Sequence, residues 1–403
     1  MATHTQAKEV HNPGPFRISP LLKTFFAVCS LIGIATFSVA LGSGNEQHRA
    51  WPNFLLNYYF FMVLGLSGAF FTALQHVTNA YWSVTVRRIA EALMSYLPVA
   101  FVLGLVLLFF GRHELYQWTN ITAMAADHGL QVKQNYLNAP FFAIRLVGAF
   151  VLWIAFSWAL RSNSLAQDKS GDGKLTLANI KLSTVFLPIF AFSFTLVSFD
   201  LLMSLEPHWF STIFGVYCFA GLFYSGLSLL AVIVISGRRQ GLLRDDVVNM
   251  NHLHDIGMLM FAFTVFWGYI MFSQLMLQWY ANLPEETTYY MRRFHGGWWT
   301  VSCVLFTVHF VIPFFGLLPR GAKRNESYLF KMALFMLFSQ WLDVYYMVMP
   351  PFFREGPVFG WVEIGTFLGF LGFFGISVGR FLEKAPAIPL KDPRMAQCLA
   401  HTQ

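Results

Sequence analysis

The residues best able to do chemistry in this sequence are acids and histidines set within long apolar runs. Asn251-His252-Leu253-His254-Asp255 opens one such run, which continues to Tyr280-Ala281-Asn282-Leu283-Pro284-Glu285-Glu286. A helix of about 30 residues, roughly 45 Å at 1.5 Å per residue, would carry ionisable groups at both ends of a bilayer. Glu91 follows the basic pair Arg87-Arg88 much as Asp255 follows Arg238-Arg239, and His76 lies about one turn inside the preceding apolar run. Glu91, His254, Asp255 and His76 are therefore the candidates for one half of a proton path, with no fixed cation expected inside the membrane to neutralise them. Asp200, Asp343 and Glu363 stand toward the opposite ends of their runs, with His309 near mid-depth. Stepping 100° per residue from Asp255 brings Ala262, Phe266, Tyr269, Ser273 and Tyr280 within roughly 40° of its face. Tyr269 and Ser273 are thus expected to extend the path toward Asp200 and Asp343.

An ionisable group at the centre of a bilayer costs about 2.5–3.5 kcal/mol, so it is paired, hydrated or functional. For each group taken singly the alternative is a structural hydrogen bond or salt bridge, Arg145 with Asp200 being the nearest example. Arg145, Asp200 and His208 together are the candidates for a quinone contact or for that bridge. Seven or more such groups in one bundle favour a proton or ion pathway, because carboxyl groups crowded in a low-dielectric setting are able to hold and pass protons.

The elements that position these residues are membrane helices. Hydrophobic residues make up 56% of the 403 and charged residues 12%, about half the charged fraction of soluble domains. Apolar runs long enough to span fall at about 21–41, 53–80, 91–110, 140–160, 182–203, 212–235, 255–280, 297–317, 329–349 and 358–380. The first is too long for a signal-peptide core. The expected fold is all-α and polytopic with ten transmembrane helices. Of the 27 Lys and Arg, 19 fall on the side that carries both termini and 6 on the other, which makes both termini cytoplasmic and puts Pro284-Glu285-Glu286 outside. Ser198-Phe199-Asp200 with Pro207, and Leu342-Asp343 with Pro350, form a weak repeat four helices apart. It implies two parallel four-helix bundles, spans 2–5 and 6–9, plus two peripheral helices. The resulting divisions are a cytoplasmic arm 1–20, a peripheral span 21–50, bundles 53–210 and 211–350, a tenth span 358–380 and a cytoplasmic tail 381–403. Between spans, 111–139 is expected to form a short surface helix and 161–181 a linker.

Other chemistry fits poorly. Cys29, Cys218, Cys303 and Cys398 have no metal or haem-attachment spacing, and the distribution of the +7 charge fits membrane orientation rather than nucleic acid. Asp168, Ser170, Asp172 and Gly173 imitate half of a calcium loop, but Asn179 stands where a bidentate Glu is needed. His76 and His309 match only loosely the pair that a bis-histidine haem requires. No phosphate loop, zinc-protease helix or nucleophile elbow is present. A secondary transporter would want broken helices at matching places, and Pro98 and Pro188 do not correspond.

Ser198-Phe199-Asp200-Leu201-Leu202-Met203-Ser204-Leu205-Glu206-Pro207-His208-Trp209-Phe210 resembles the fifth-to-sixth span junction of the NrfD-like, polysulfide-reductase-type membrane subunits. His252-Leu253-His254-Asp255, Phe272-Ser273-Gln274, Trp279-Tyr280-Ala281-Asn282 and Pro284-Glu285-Glu286-Thr287 are similar to the branch of that family found in bacterial alternative complex III. The resemblance covers about residues 20–380. It implies a non-redox subunit of a quinol:electron-acceptor oxidoreductase in the bacterial inner membrane, contributing to assembly and proton conduction. It also implies a sister NrfD-like subunit, an iron–sulfur subunit, haem c cytochromes, small single-span subunits and a terminal oxidase as partners. Haem c, iron–sulfur clusters and quinol would belong to the complex, with no cofactor on this chain.

Overall fold

The computed structural model describes residues 12–44 and 46–402; the first eleven residues of the expected arm, with Lys8, lie outside them. The described residues form helices and no strand. Among the described residues, nine helices are long and apolar enough to cross a membrane: α1 (Pro20–Gly42), α2 (Gln47–Val77), α3 (Tyr81–Leu115), α4 (Ala139–Ser170), α5 (Gly173–Leu205), α6 (Phe214–Arg239), α7 (Met250–Ala281), α8 (Gly297–Leu317) and, last of them, Trp361–Leu382. The chain is a multi-pass membrane protein. Between α8 and that last helix lies α9 (Glu326–Val348), at the place of the expected ninth run. Its 23 residues suffice in length, but Glu326, Lys331, Ser339, Gln340 and Asp343 leave it without a stretch as apolar as those of the nine. Trp361–Leu382 is accordingly α10.

Local chemistry sets the ends of these helices. The Ser19 hydroxyl accepts from the Leu22 amide just ahead of α1, with Pro20 in its first turn. Asn249 caps α7 and His252 reaches back to its amide, while Asn282, at φ 48°, closes the other end. The stretch 161–181 is not a linker. α4 runs to Ser170 and α5 starts at Gly173, and only Gly171, at φ 69°, and Asp172 separate them. The polar residues that suggested a loop join the two helices instead. Asn163 donates to Asn179 at 2.9 Å and Gln167 to Thr176 at 2.6 Å. Opposite, two short helices, Ile121–Ala126 and His128–Val132, stand in place of the one short surface helix expected there.

α2 is the central element: 94% of its apolar window is buried. It packs on α3, α5, α6, α9 and α10, while α6 packs on α2, α5, α7 and α9. α3–α4–α5 complete a group around α2, and α7–α8–α9 complete one around α6. α1 lies along α10, and their contact is backbone on backbone: a Cβ on Gly33 would stand 2.1 Å from the Gly369 Cα, and one on Gly365 2.1 Å from the Thr36 Oγ1. After α10 the chain turns back across the end of the bundle that carries Arg87, Arg88, Arg238 and Arg239, called here the basic end. The short helix Met395–Leu399 rests there on the first turns of α3.

Candidate functional site

At the end opposite the basic one, every buried acid contributed by the long helices or their junctions, Asp343 apart, has an arginine. α5 delivers Asp200, and Arg145, two turns into α4, grips it with both prongs at 2.7 and 2.8 Å while stacking over Tyr136 and Phe141. Fork-on-fork geometry makes this a closed pair. His208 does not join it, pairing instead with Asp127 at 2.9 Å in a half-exposed position. The three residues considered for a quinone contact therefore do not converge. Glu206 is held by Arg292 and Arg293, each at 2.8 Å. Glu363, at the first turn of α10, takes Arg49 at 2.5 Å, Asn53 at 2.8 Å and its own Gly360 amide at 2.7 Å. It also borders an apolar cleft of about 410 Å³ lined by Phe60, Phe61, Trp341 and Phe367.

Asp343 differs. Its carboxyl group accepts from the Tyr217 hydroxyl, from Gln340 at 3.1 Å and from the Trp267 indole at 3.3 Å, all neutral donors. No lysine or arginine bonds to it among the described residues. Trp267 then packs on His309 at 4.0 Å with the rings tilted by 47°, and that imidazole stacks on Tyr224 at 4.1 Å. Tyr224 meets Ser339 at 3.0 Å. His309 sits in a π-bulge, Thr307–Val311, an irregularity that commonly marks functional helix positions. It is fully buried, and neither ring nitrogen makes a well-formed hydrogen bond among the described residues, although the ring lies by the Ser339 backbone. Asp343, Trp267, His309, Tyr224 and Ser339 thus form a continuous polar and aromatic column within the α6–α9 group.

At the basic end the expected mouth divides in two. Glu91 lies at 3.0 Å from Arg88, whose other prong holds Asp168 at 2.5 Å. Arg87 beside it binds Asp392 of the tail, and Arg394 bridges Asp392 at 3.3 Å to His76 at 3.4 Å. Asp255 and His254 belong to the second cluster, on α7. Asp255 meets His401 at 2.7 Å, and the short helix Arg320–Arg324 brings Lys323 and Arg324 beside His254. The expectation of a mouth with no fixed cation is therefore corrected. The loop between α8 and α9 folds onto the start of α7, where Arg324 donates to Asn251 at 2.9 Å, and the tail covers the rest.

The tail is fastened ionically. Burial alone would raise the Asp392 carboxyl, but the Arg87 and Arg394 guanidiniums beside it prevail and hold it at about 2. A carboxyl group lowered on folding stabilises the fold above its unfolded value, and that contribution disappears as pH falls through the folded one. Lowering the pH from about 4 to about 2 should therefore cost roughly 2 kcal/mol of tail docking, and D392N should show this loss already at neutral pH. Amide exchange in Met395–Leu399 reports it, and equal protection in D392N and wild type would refute the assignment.

The inner face of α7 also departs from expectation. Tyr269 and Tyr280 point outward, 64% and 85% exposed, and Ser273 is half-buried. The buried positions beyond Gly257 are Met260, Thr264, Trp267, Ile270, Gln274 and Gln278, a stripe whose first member lies roughly 140° around the helix from Asp255. Asp255 misleads as a reference because residues 252–257 are buried on all sides. Tyr217, Trp267, Tyr224 and Gln340, together with Asp392, Arg394 and His401 of the tail, are site residues that sequence reasoning missed. Only Trp267 and Gln340 carried a visible signal, as polar-edged side chains three residues from Thr264 and Asp343. In comparisons with known proteins, no family model matches the chain and no curated protein matches it.

Proposed function

We propose that this chain is an integral membrane subunit of a respiratory quinol:electron-acceptor oxidoreductase of the alternative complex III type, without a redox centre of its own, and that it conducts protons. On this reading it crosses the bacterial inner membrane ten times, α9 included, with both termini in the cytoplasm. The excess of Lys and Arg at the basic end supports the orientation. Two parallel four-helix units, α2–α5 and α6–α9, are supported by reciprocal packing: α2 lies on α5 and α9, and α6 lies on α9 and α5. The motifs that resemble the NrfD-like subunits support the assignment to a complex with iron–sulfur, haem c and sister membrane subunits.

The observation that carries the proton reading is Asp343. A carboxyl group met by neutral donors alone can take up or release a proton without breaking an ion pair, whereas the Asp200 and Glu363 carboxylates would each leave a buried arginine behind. His309, packed on the far part of Trp267, is the next buried side chain able to exchange a proton toward the basic end. In the assembled complex, D343N should slow quinol-driven proton movement at least about tenfold and remove a protonated-carboxyl infrared band. D200N should instead impair assembly. A D343N complex that turns over and moves protons like wild type would end the proton reading, and a chain that purifies without haem-bearing partners would end the assignment to a complex.

A further inference from the structure

The tail after α10 brings a histidine to the one acidic group at the start of α7. His401 Nε2 lies 2.7 Å from Asp255 Oδ2, and both residues are nearly buried. The His401 backbone is fixed independently of its ring, since its carbonyl accepts from Asn249 at 3.0 Å and from Asn251 at 3.2 Å. Two further anchors hold the segment. Cys398 lies 3.3 Å from His252 Nε2 and donates to the Trp82 carbonyl, while Asp392 is clasped by Arg87 and the Leu390 amide donates to Asp168 at 2.8 Å. One tail thus fastens to α3 and α4 on one side and to α7 on the other, and places an imidazole on Asp255. A segment needed only to hold the units together would be served by the arginine contacts alone.

We propose that His401 is the proton-exchange partner of Asp255, so that the mouth of the path is completed by the docked tail; this rests on the proton reading above. Imidazole is the side chain whose ordinary titration range lies at physiological pH, and it can receive a proton on one nitrogen and release one from the other. A proton from water forms an N–H bond on the ring nitrogen of His401 that faces away from Asp255, the proton on Nε2 passes to the Asp255 carboxylate across the 2.7 Å contact, and the imidazole is left neutral in its other tautomer. The groups that face this ring are Asp255 and His252 of α7, with His252 at 5.5 Å between ring centres, and Tyr81 at the start of α3 at 5.8 Å. Cys398 lies one turn back on its own segment, and Arg324 stands one residue removed, through Asn251.

Two measurements on the full chain test this. In the purified protein, the acid-minus-neutral infrared difference spectrum of wild type, less that of H401Q, should contain an imidazole and a carboxylate change together, and the same pair should be missing from D255N. H401Q or D255N spectra that lack no paired imidazole and carboxylate change relative to wild type overturn the proposal. In vesicles, H401Q should slow proton flux at least about tenfold, and imidazole added to the bath should restore it. H401K keeps a cation beside Asp255 and so preserves docking, but it should not restore flux. If H401Q or H401K conducts like wild type, His401 is a structural ion-pair partner and the proposal is wrong. A wild-type chain that shows the coupled infrared change yet passes no protons would leave the His401–Asp255 pair standing and refute the path reading alone.

Discussion

Arg293→Ala should unfold the junction between α5 and α6 and cost about 3–5 kcal/mol, the range found when one member of a buried ion pair is removed. Arg293 is fully buried on the helix Pro284–Arg293, and all three guanidinium nitrogens are engaged. Nη1 holds Glu206 at 2.8 Å and the Tyr289 carbonyl at 3.0 Å, Nε reaches the Tyr346 carbonyl at 3.2 Å, and Nη2 the Met347 carbonyl at 3.1 Å. The last two are terminal carbonyls of α9, which no later helical amide can satisfy. The guanidinium also lies 3.4 Å over Tyr289, whose far contact is the Trp209 ring at 4.1 Å. Alanine would leave Glu206 and the helix end unmatched in one step. Lysine should recover little, since a point charge cannot reproduce the planar fork. Thermal unfolding in detergent, followed by tryptophan fluorescence, checks this, and a midpoint within about 2 °C of wild type would count against it.

Gly369→Leu should separate α1 from the rest of the chain. With the Gly33 and Gly369 backbones in direct contact, a Cβ on Gly369 would lie 2.7 Å from the Gly33 Cα, and no side chain is interposed to move aside. Close approach of this kind is how small residues drive helix association in lipid, where no hydrophobic difference favours the contact. Gly372 repeats the pattern against Ser30 and the Phe26 carbonyl. Loss in the variant of a zero-length carbodiimide crosslink between Lys23 and Glu383, which pair at 2.6 Å at the other end of the same contact, would demonstrate the separation. A crosslink formed as readily as in the parent would show that α1 is held by other contacts.

Much of the helical framework was legible because spans of twenty or more apolar residues leave few alternatives, and α1 to α8 and α10 stand where those runs fall. The 161–181 stretch was misread for a physical reason: Asn163, Gln167, Thr176 and Asn179 satisfy one another across two helices, and polarity without that pairing looks like a loop. Arg145 with Asp200 was legible from depth and charge. Arg49 with Glu363 was not, being 314 residues apart in sequence, and nothing local links them. The α7 stripe failed through its choice of reference, since Asp255 is enclosed by the tail and by Arg320–Arg324 and does not mark the face toward α6. The tail itself offered Asp392, Arg394 and His401 in a segment of no periodicity, and their meaning exists only against Arg87 and Asp255.

The polarity of α9 bears on how the protein is made. A segment carrying Glu326, Lys331, Ser339, Gln340 and Asp343 is a poor substrate for one-at-a-time partition from the translocon into lipid. Its polar atoms are answered by groups on helices made earlier: Tyr217 and Tyr224 on α6 and Trp267 on α7. On the ten-span reading, α9 should therefore enter the bilayer together with α6 and α7 rather than alone. Biogenesis would then proceed by retention of those earlier helices beside the translocon until α9 arrives. The Asp343 carboxyl would be admitted to the membrane only in the company of the donors that later hold it.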